Sequence, residues 1–165
     1  MTIAGNTGGQ TRAVLNGPAG LTGLHVGPTA ADSTLRFLVI QGFATGVHLQ
    51  GAGSVLISSY IGTDANGVSA IPNETGVLIE ADDVRVGGAT GTTPGGACTG
   101  ECNLISGNAS AGISLGGRNA TIQGNFIGTD VLGEAGDLGS MGNGTGISGG
   151  TFGSIIGGGN AACGT

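Results

Sequence analysis

Few residue types in this chain can do chemistry, and they are thinly spread. Cys98 and Cys102 lie in the segment Cys98-Thr99-Gly100-Glu101-Cys102, and Cys163 is the third cysteine. Two thiols this close either form a small disulfide or stay free. A disulfide would fix the shape of its loop and imply an oxidising compartment, while adding little through loop entropy. With no histidine at ligand spacing, the cysteines make no zinc site. Glu80, Asp82, Asp83 and Arg85 are the one local cluster of charge. Sugar-cleaving proteins use paired carboxylates, or acids with a basic residue acting on the proton. Adjacent residues of a strand point to opposite faces, so Asp82 and Asp83 belong to a turn and make no catalytic pair. The chain has no lysine, which removes a common base, and its one tyrosine, four phenylalanines and no tryptophan offer no platform for stacking sugars. No catalytic residue is assigned, and the expectation is a protein without enzymatic activity.

The remaining polar candidates repeat. Asp64 and Asp130 occupy the same place in two matching turns, Tyr60-Ile61-Gly62-Thr63-Asp64 and Phe126-Ile127-Gly128-Thr129-Asp130. An aspartate repeated in this way caps its turn by accepting backbone N–H bonds. Calcium suits such carboxylates and turn carbonyls as well, but the regular aspartate nonapeptide of calcium-binding rolls is missing; no cofactor and no metal site is assigned. His25 and His48 follow Gly-Leu and Gly-Val in equivalent segments, so they should stack outward about 5 Å apart, as neighbouring strands do. That column continues as Leu78, Ser114 and Ser148, and a solvated pair is expected. Asn73, Asn108, Asn119 and Asn143 each begin an Asn-x-Ser/Thr sequence, which this composition produces by chance; they receive no role.

A repeat positions these groups. Gly-apolar-x-apolar occurs at Gly23-Leu24-His25-Val26, Gly46-Val47-His48-Leu49, Gly76-Val77-Leu78-Ile79 and Gly112-Ile113-Ser114-Leu115, and fades at Gly146-Ile147-Ser148-Gly149. A second strand follows each, ending at Val39-Ile40, Tyr60-Ile61, Leu104-Ile105 and Phe126-Ile127. Ile40, Ile61, Ile105 and Ile127 thus share one column and close a corner. Extra length falls after the Ile-Gly-Thr-Asp turns and after the Gly87-Gly88 and Gly157-Gly158 pairs, so two rung types alternate. Insertions confined to loops are how solenoid repeats diverge. Inward columns are expected at Leu24, Val47, Val77, Ile113 and Ile147, at Val26, Leu49, Ile79 and Leu115, and at Leu35, Leu56, Val86, Ile122 and Ile156. The chain therefore reads as an all-β, right-handed parallel β-helix of about five rungs, one domain over residues 1–165, with no helix of note.

Composition agrees. Glycine and proline together supply 39 and 4 of 165 residues, which suggests disorder, but 38% of residues are hydrophobic and only 8% charged. A net charge of −6 with no lysine leaves nothing to neutralise a phosphate backbone, so no nucleic-acid partner is expected. No apolar run approaches the roughly 18–20 residues that span a bilayer, and no signal peptide is visible.

Three segments carry a resemblance: Asn125-Phe126-Ile127-Gly128-Thr129-Asp130, Val86-Gly87-Gly88, and Asn103-Leu104-Ile105-Ser106-Gly107-Asn108. With the opening Thr2-Ile3-Ala4-Gly5 and Val14-Leu15-Asn16-Gly17, the chain resembles the repeats of large secreted bacterial surface proteins, within the broad pectate-lyase-like right-handed β-helix superfamily. The resemblance implies an extracellular or cell-surface stalk, adhesin repeat or fibre unit. Its partners would be copies of itself or neighbouring solenoid rungs stacked end to end, and surface glycans. The alternative is a fragment of a polysaccharide lyase or hydrolase, or a carbohydrate-binding β-helix. Ile155-Ile156-Gly157-Gly158 to Cys163 repeats Arg85-Val86-Gly87-Gly88 to Cys98 without reaching a second cysteine, so a piece of a longer solenoid, or one completed by a neighbour, is expected.

Overall fold

The computed structural model describes residues 1–5, 11–92, 96–134, 141–150 and 152–157, and every regular element among them is a strand. Three strands make one coil. The first coil is β1 (Thr2–Ala4), β2 (Ala13–Asn16) and β3 (Thr22–Val26); the second is β4 (Thr34–Arg36), β5 (Leu38–Gln41) and β6 (Thr45–Leu49). The third is β7 (Val55–Ile57), β8 (Tyr60–Ile61) and β9 (Thr75–Ile79); the fourth is β10 (Arg85–Gly87), β11 (Leu104–Ile105) and β12 (Ala111–Leu115). The fifth is β13 (Thr121–Gln123), β14 (Phe126–Ile127) and β15 (Thr145–Gly149), and β16 (Ile155–Ile156) opens a sixth. Each strand pairs in parallel with its counterparts in adjacent coils. The result is three sheets: A (β1-β4-β7-β10-β13-β16), B (β2-β5-β8-β11-β14) and C (β3-β6-β9-β12-β15). The chain is a parallel β-helix.

Each sheet contributes an aliphatic column to a shared interior, and sheet C adds a second, Val26, Leu49, Ile79 and Leu115. In sheet C, Leu24, Val47, Val77, Ile113 and Ile147 are successive partners. In sheet A the column is Ile3, Leu35, Leu56, Val86, Ile122 and Ile156. Sheet B aligns Leu15, Ile40, Ile61, Ile105 and Ile127. The middle coils are sealed: Ile40, Ile61, Ile105, Leu56, Val77 and Ile113 are all fully buried in one cluster. Each such aliphatic contributes roughly 1.5–3 kcal/mol through burial.

The sequence suggested two strands per coil, with the isoleucines closing a corner; the structure corrects this. A left-handed residue stands between sheet A and sheet B in three coils, Phe37 (φ 56°), Ser58 (φ 55°) and Gly124 (φ 59°). It breaks the long second strand in two, so the isoleucines occupy the inward position of a third sheet. The two rung types differ at the next corner. Glycine with positive φ follows the isoleucine directly at Gly62 and Gly128, but one residue later at Gly42 and Gly107. The long loop 62–74 follows the first type, as does the long stretch of sequence between β14 and β15.

The glycine near the start of the first four strands of sheet C, Gly23, Gly46, Gly76 and Gly112, answers to space. A Cβ on Gly112 would lie 2.7 Å from the carbonyl oxygen of Gly146 and 2.8 Å from the amide nitrogen of Asn143. At Gly76 the same atoms of the next coil, on Gly112 and Asn108, would be 2.6 and 2.9 Å away. Successive coils approach too closely here for any side chain.

Candidate functional site

Two internal ladders of side-chain amides run up the corners that flank sheet B. Between sheets B and C, the Asn73 Nδ2 donates to the Ile40 carbonyl one coil below (3.0 Å) and to Asn108 Oδ1 one coil above (3.1 Å). Asn108 repeats the pattern, donating to the Ile61 carbonyl (3.1 Å) and to Asn143 Oδ1 (2.9 Å). The Oδ1 atoms of Asn73 and Asn143 also accept a backbone N–H from the coil beneath: Phe43 donates to Asn73 at 3.0 Å and Asn108 to Asn143 at 3.0 Å. Between sheets A and B, Asn103 donates to the Leu56 carbonyl (2.8 Å) and to Asn125 Oδ1 (2.9 Å). Its own Oδ1 accepts from the Ser59 N–H at 3.0 Å. Asn73, Asn103 and Asn108 are buried.

This corrects the reading that the Asn-x-Ser/Thr matches have no role. Three of the four asparagines, Asn73, Asn108 and Asn143, are rungs of one ladder; Asn119 is exposed. The signal in the sequence was spacing: each of the three stands shortly before the glycine that opens a sheet C strand, and Asn119 does not.

The residues of the charge cluster separate. Asp83 is left-handed (φ 59°), as are Asp32 (φ 55°), Gly53 (φ 67°), Asn119 (φ 53°) and Gly153 (φ 77°), the same corner of successive coils. Only glycine and short Asx side chains settle comfortably in that conformation. Asp82 Oδ1 accepts from the Arg118 N–H at 2.8 Å and Asp83 Oδ1 from Asn119 Nδ2 at 3.2 Å. Arg85 pairs instead with Glu101, Nη1 to Oε1 at 3.0 Å, and donates to the Gly87 carbonyl at 2.6 Å. Burial alone would raise the Glu101 pKa, but Arg85 and Thr90 together hold it below the usual carboxylate range.

Glu101 belongs to the loop 96–103, which closes over the outer face of sheet B. That face carries the column Val39, Tyr60, Leu104 and Phe126, and the loop covers it with Cys98 and Cys102. The two cysteines are joined in a disulfide with Cα atoms 5.3 Å apart, and both are buried. Ser58 Oγ ties the loop down by donating to the Gly100 carbonyl at 2.6 Å. The Arg12 guanidinium lies 3.6 Å from the Tyr60 ring centroid. Burial pushes the Tyr60 phenol above its ordinary pKa, with Arg12 opposing.

On sheet C, the His25 and His48 rings stack with centroids 4.8 Å apart and planes inclined by 19°. They are tied into a network the sequence did not suggest. His25 Nε2 donates to Gln50 Oε1, and both Gln50 Nε2 and His48 Nε2 donate to Glu80 Oε2, each at 2.8 Å. The bonds from Gln50 and His48 hold the exposed Glu80 below the ordinary carboxylate range.

Asp64 and Asp130 spend their carboxylates inside their own loops. Asp64 Oδ1 accepts from the N–H groups of Val68 (2.9 Å) and Ser69 (3.0 Å), and Asp130 Oδ1 from Leu132 and Glu134 (both 2.9 Å). Burial would raise the Asp64 pKa, but backbone N–H donors from Ser69, Val68 and Asn66 bring it below the usual range. Among the described residues, no group of three or more His, Cys, Asp or Glu side chains converges as metal ligands. Cys163 lies outside the described residues.

Two surface features remain. A shallow groove of about 310 Å³ follows the corner between sheets B and C, with Phe43, Pro72, Glu74 and Ser110 among its walls. The other is the pair of solenoid ends. Sheets A, B and C end in the edge strands β1, β2 and β3 on one side and β16, β14 and β15 on the other. At the second end Ile155 and Ile156 are 53% and 54% exposed, although Ile156 continues a column that is buried in the coils below. No protein-family model matches the chain, and comparison with curated proteins and with solved structures finds no match either.

Proposed function

We propose that this chain is a non-enzymatic structural or adhesive scaffold of the cell exterior, a β-helix unit of a stalk or fibre whose ends pair with further coils. The observation that carries the reading is the buried asparagine ladder, which binds each coil to the next from within. The polar residues support it. Asparagines hold coil to coil, Asp82 and Asp83 shape a corner, and Asp64 and Asp130 cap loops, so their chemistry is spent on the architecture. The Cys98–Cys102 disulfide fits an oxidising, extracellular setting. Likeness to secreted bacterial surface proteins of the pectate-lyase-like superfamily is part of the same proposal.

Sedimentation velocity and negative-stain electron microscopy over a range of concentrations test it. The expected result is elongated particles joined at their ends, lost on changing Ile156→Lys and kept on changing the outward Ser114→Lys. A monodisperse monomer at every concentration, or product release from a panel of polysaccharides, would refute it. A second reading, a carbohydrate-binding β-helix, draws on the corner groove. It predicts saturable binding to a glycan array that is lost with Glu74→Ala.

A further inference from the structure

The outer face of sheet C holds the two histidines side by side, and the bonds around them decide which ring nitrogen is left over. We infer that His25 and His48 form a surface site for a borderline divalent cation such as Zn²⁺, held through the two Nδ1 atoms, with Gln50 and Glu80 positioning the rings. The site is independent of the scaffold reading.

Hydrogen-bond chemistry assigns the nitrogens. The Glu80 pKa lies below the ordinary carboxylate range, so its ionised carboxylate can only accept. Gln50 Nε2 and His48 Nε2 both meet Glu80 Oε2 at 2.8 Å, so each donates to it. Gln50 thereby turns its NH₂ toward Glu80 and its carbonyl oxygen toward His25. The 2.8 Å contact at that oxygen requires a proton on His25 Nε2. Both rings therefore carry a proton at Nε2, and in a neutral imidazole the other nitrogen then holds a lone pair. Among the described residues, neither Nδ1 has a hydrogen-bond partner. Metal-ligating histidines are held in this way, with one ring N–H on a carboxylate or carbonyl oxygen and the other nitrogen open.

Stacking brings two such nitrogens together. His25 and His48 are partners in adjacent strands, their ring centroids 4.8 Å apart and their planes inclined by 19°. A Zn–N bond is about 2.0–2.1 Å, so two nitrogens sharing one ion lie within about 4 Å of each other. Tipping the rings toward each other at their Nδ1 edges closes that gap while each Nε2 stays on its acceptor. His25 is exposed and His48 partly exposed, which gives an ion and its coordinated waters access from solvent. Two protein ligands with water in the remaining positions agree with the finding that no group of three converges among the described residues. Imidazole selects Zn²⁺, Ni²⁺ or Cu²⁺ over Mg²⁺ and Ca²⁺, which prefer oxygen. The column continues as Leu78, Ser114 and Ser148, so the site belongs to the first two coils alone and would clamp them from outside.

The test uses the whole chain without an affinity tag and with Cys163→Ser, so that no thiol competes for the metal. Zn²⁺ is titrated by calorimetry, and the histidine ring nitrogens are followed by ¹⁵N magnetic resonance. The metal-free spectrum should show the Nε2–H form of both rings, and Zn²⁺ should shift both Nδ1 resonances with one ion bound per chain. His25→Ala and His48→Ala should each weaken binding by about tenfold or more, with circular dichroism unchanged. Glu80→Ala should weaken it by roughly tenfold and mix the His48 tautomers, which a purely structural residue would not do. Leu78→His places a third imidazole in the column and should tighten binding. Titration heats unchanged by both histidine variants, Nδ1 resonances that ignore Zn²⁺, or Nδ1–H rings in the metal-free chain would each overturn the inference.

Discussion

Replacing Asn108 by alanine separates a structural ladder from an incidental sequence match. The side chain is buried and makes three well-formed bonds, to the Ile61 carbonyl, to Asn143 Oδ1 and from Asn73 Nδ2, at 3.1, 2.9 and 3.1 Å. At a net value of about 1 kcal/mol each, their loss should destabilise the fold by about 3 kcal/mol before any cavity is counted. Against an m-value of roughly 2 kcal/mol per molar urea, the unfolding midpoint should fall by more than about 1 M. The control is Asn119→Gly, since Asn119 begins the same kind of Asn-x-Ser/Thr sequence but is exposed, and Gly53 and Gly153 hold the same corner in other coils. Its midpoint should move by less than a change of about 0.5 kcal/mol allows. Urea titrations followed by circular dichroism measure both. Equal shifts for the two variants, or none for Asn108→Ala, would show that the ladder contributes nothing.

Further outcomes follow from the same geometry. Gly112→Ala should destabilise by roughly 2–3 kcal/mol because its Cβ meets the Gly146 carbonyl and the Asn143 amide, whereas Gly27→Ala, with nothing within 4 Å, should be neutral in thermal melts. Reducing the Cys98–Cys102 bond should loosen the loop over Tyr60 while the sheets persist. Tyr60 is the one tyrosine and there is no tryptophan, so intrinsic emission and near-ultraviolet dichroism should change with little change in the far ultraviolet. The Asp64 pKa is lowered in the folded chain, so the carboxylate stabilises its loop above the unfolded-state pKa and that contribution is lost as the pH falls through the folded value. Hydrogen exchange at Val68 and Ser69 should therefore gain protection with rising pH through the acid range, once corrected for intrinsic rates, and Asp64→Ala should abolish that dependence.

Much of the architecture was legible in the residues because a solenoid writes its tertiary structure as a period. Ile40, Ile61, Ile105 and Ile127 could be aligned without coordinates, since stacked coils put chemically equal residues in equal places. The stacking of His25 on His48 followed from the same alignment. Less legible were features that depend on backbone sign or on contacts between coils of unequal length. Phe37 and Ser58 do not announce positive φ, so the residues alone give one long strand ending in a corner where the structure has a strand break and a third sheet. Gln50 and Glu80 reach the histidines from neighbouring coils, across 25 and 32 residues, and no local pattern joins them.

The sequence by itself determined the parallel, coiled arrangement and the identity of its aliphatic columns, because burial selects side chains by type and a fixed period assigns them to faces. Only the tertiary structure decided what the asparagines do. An asparagine beside a glycine is equally at home capping a solvated turn or donating inside a buried ladder. What separates the two is whether a carbonyl of the coil below and an amide of the coil above lie within bonding distance, and separations of 21 to 44 residues between equivalent isoleucines conceal that from the linear chain.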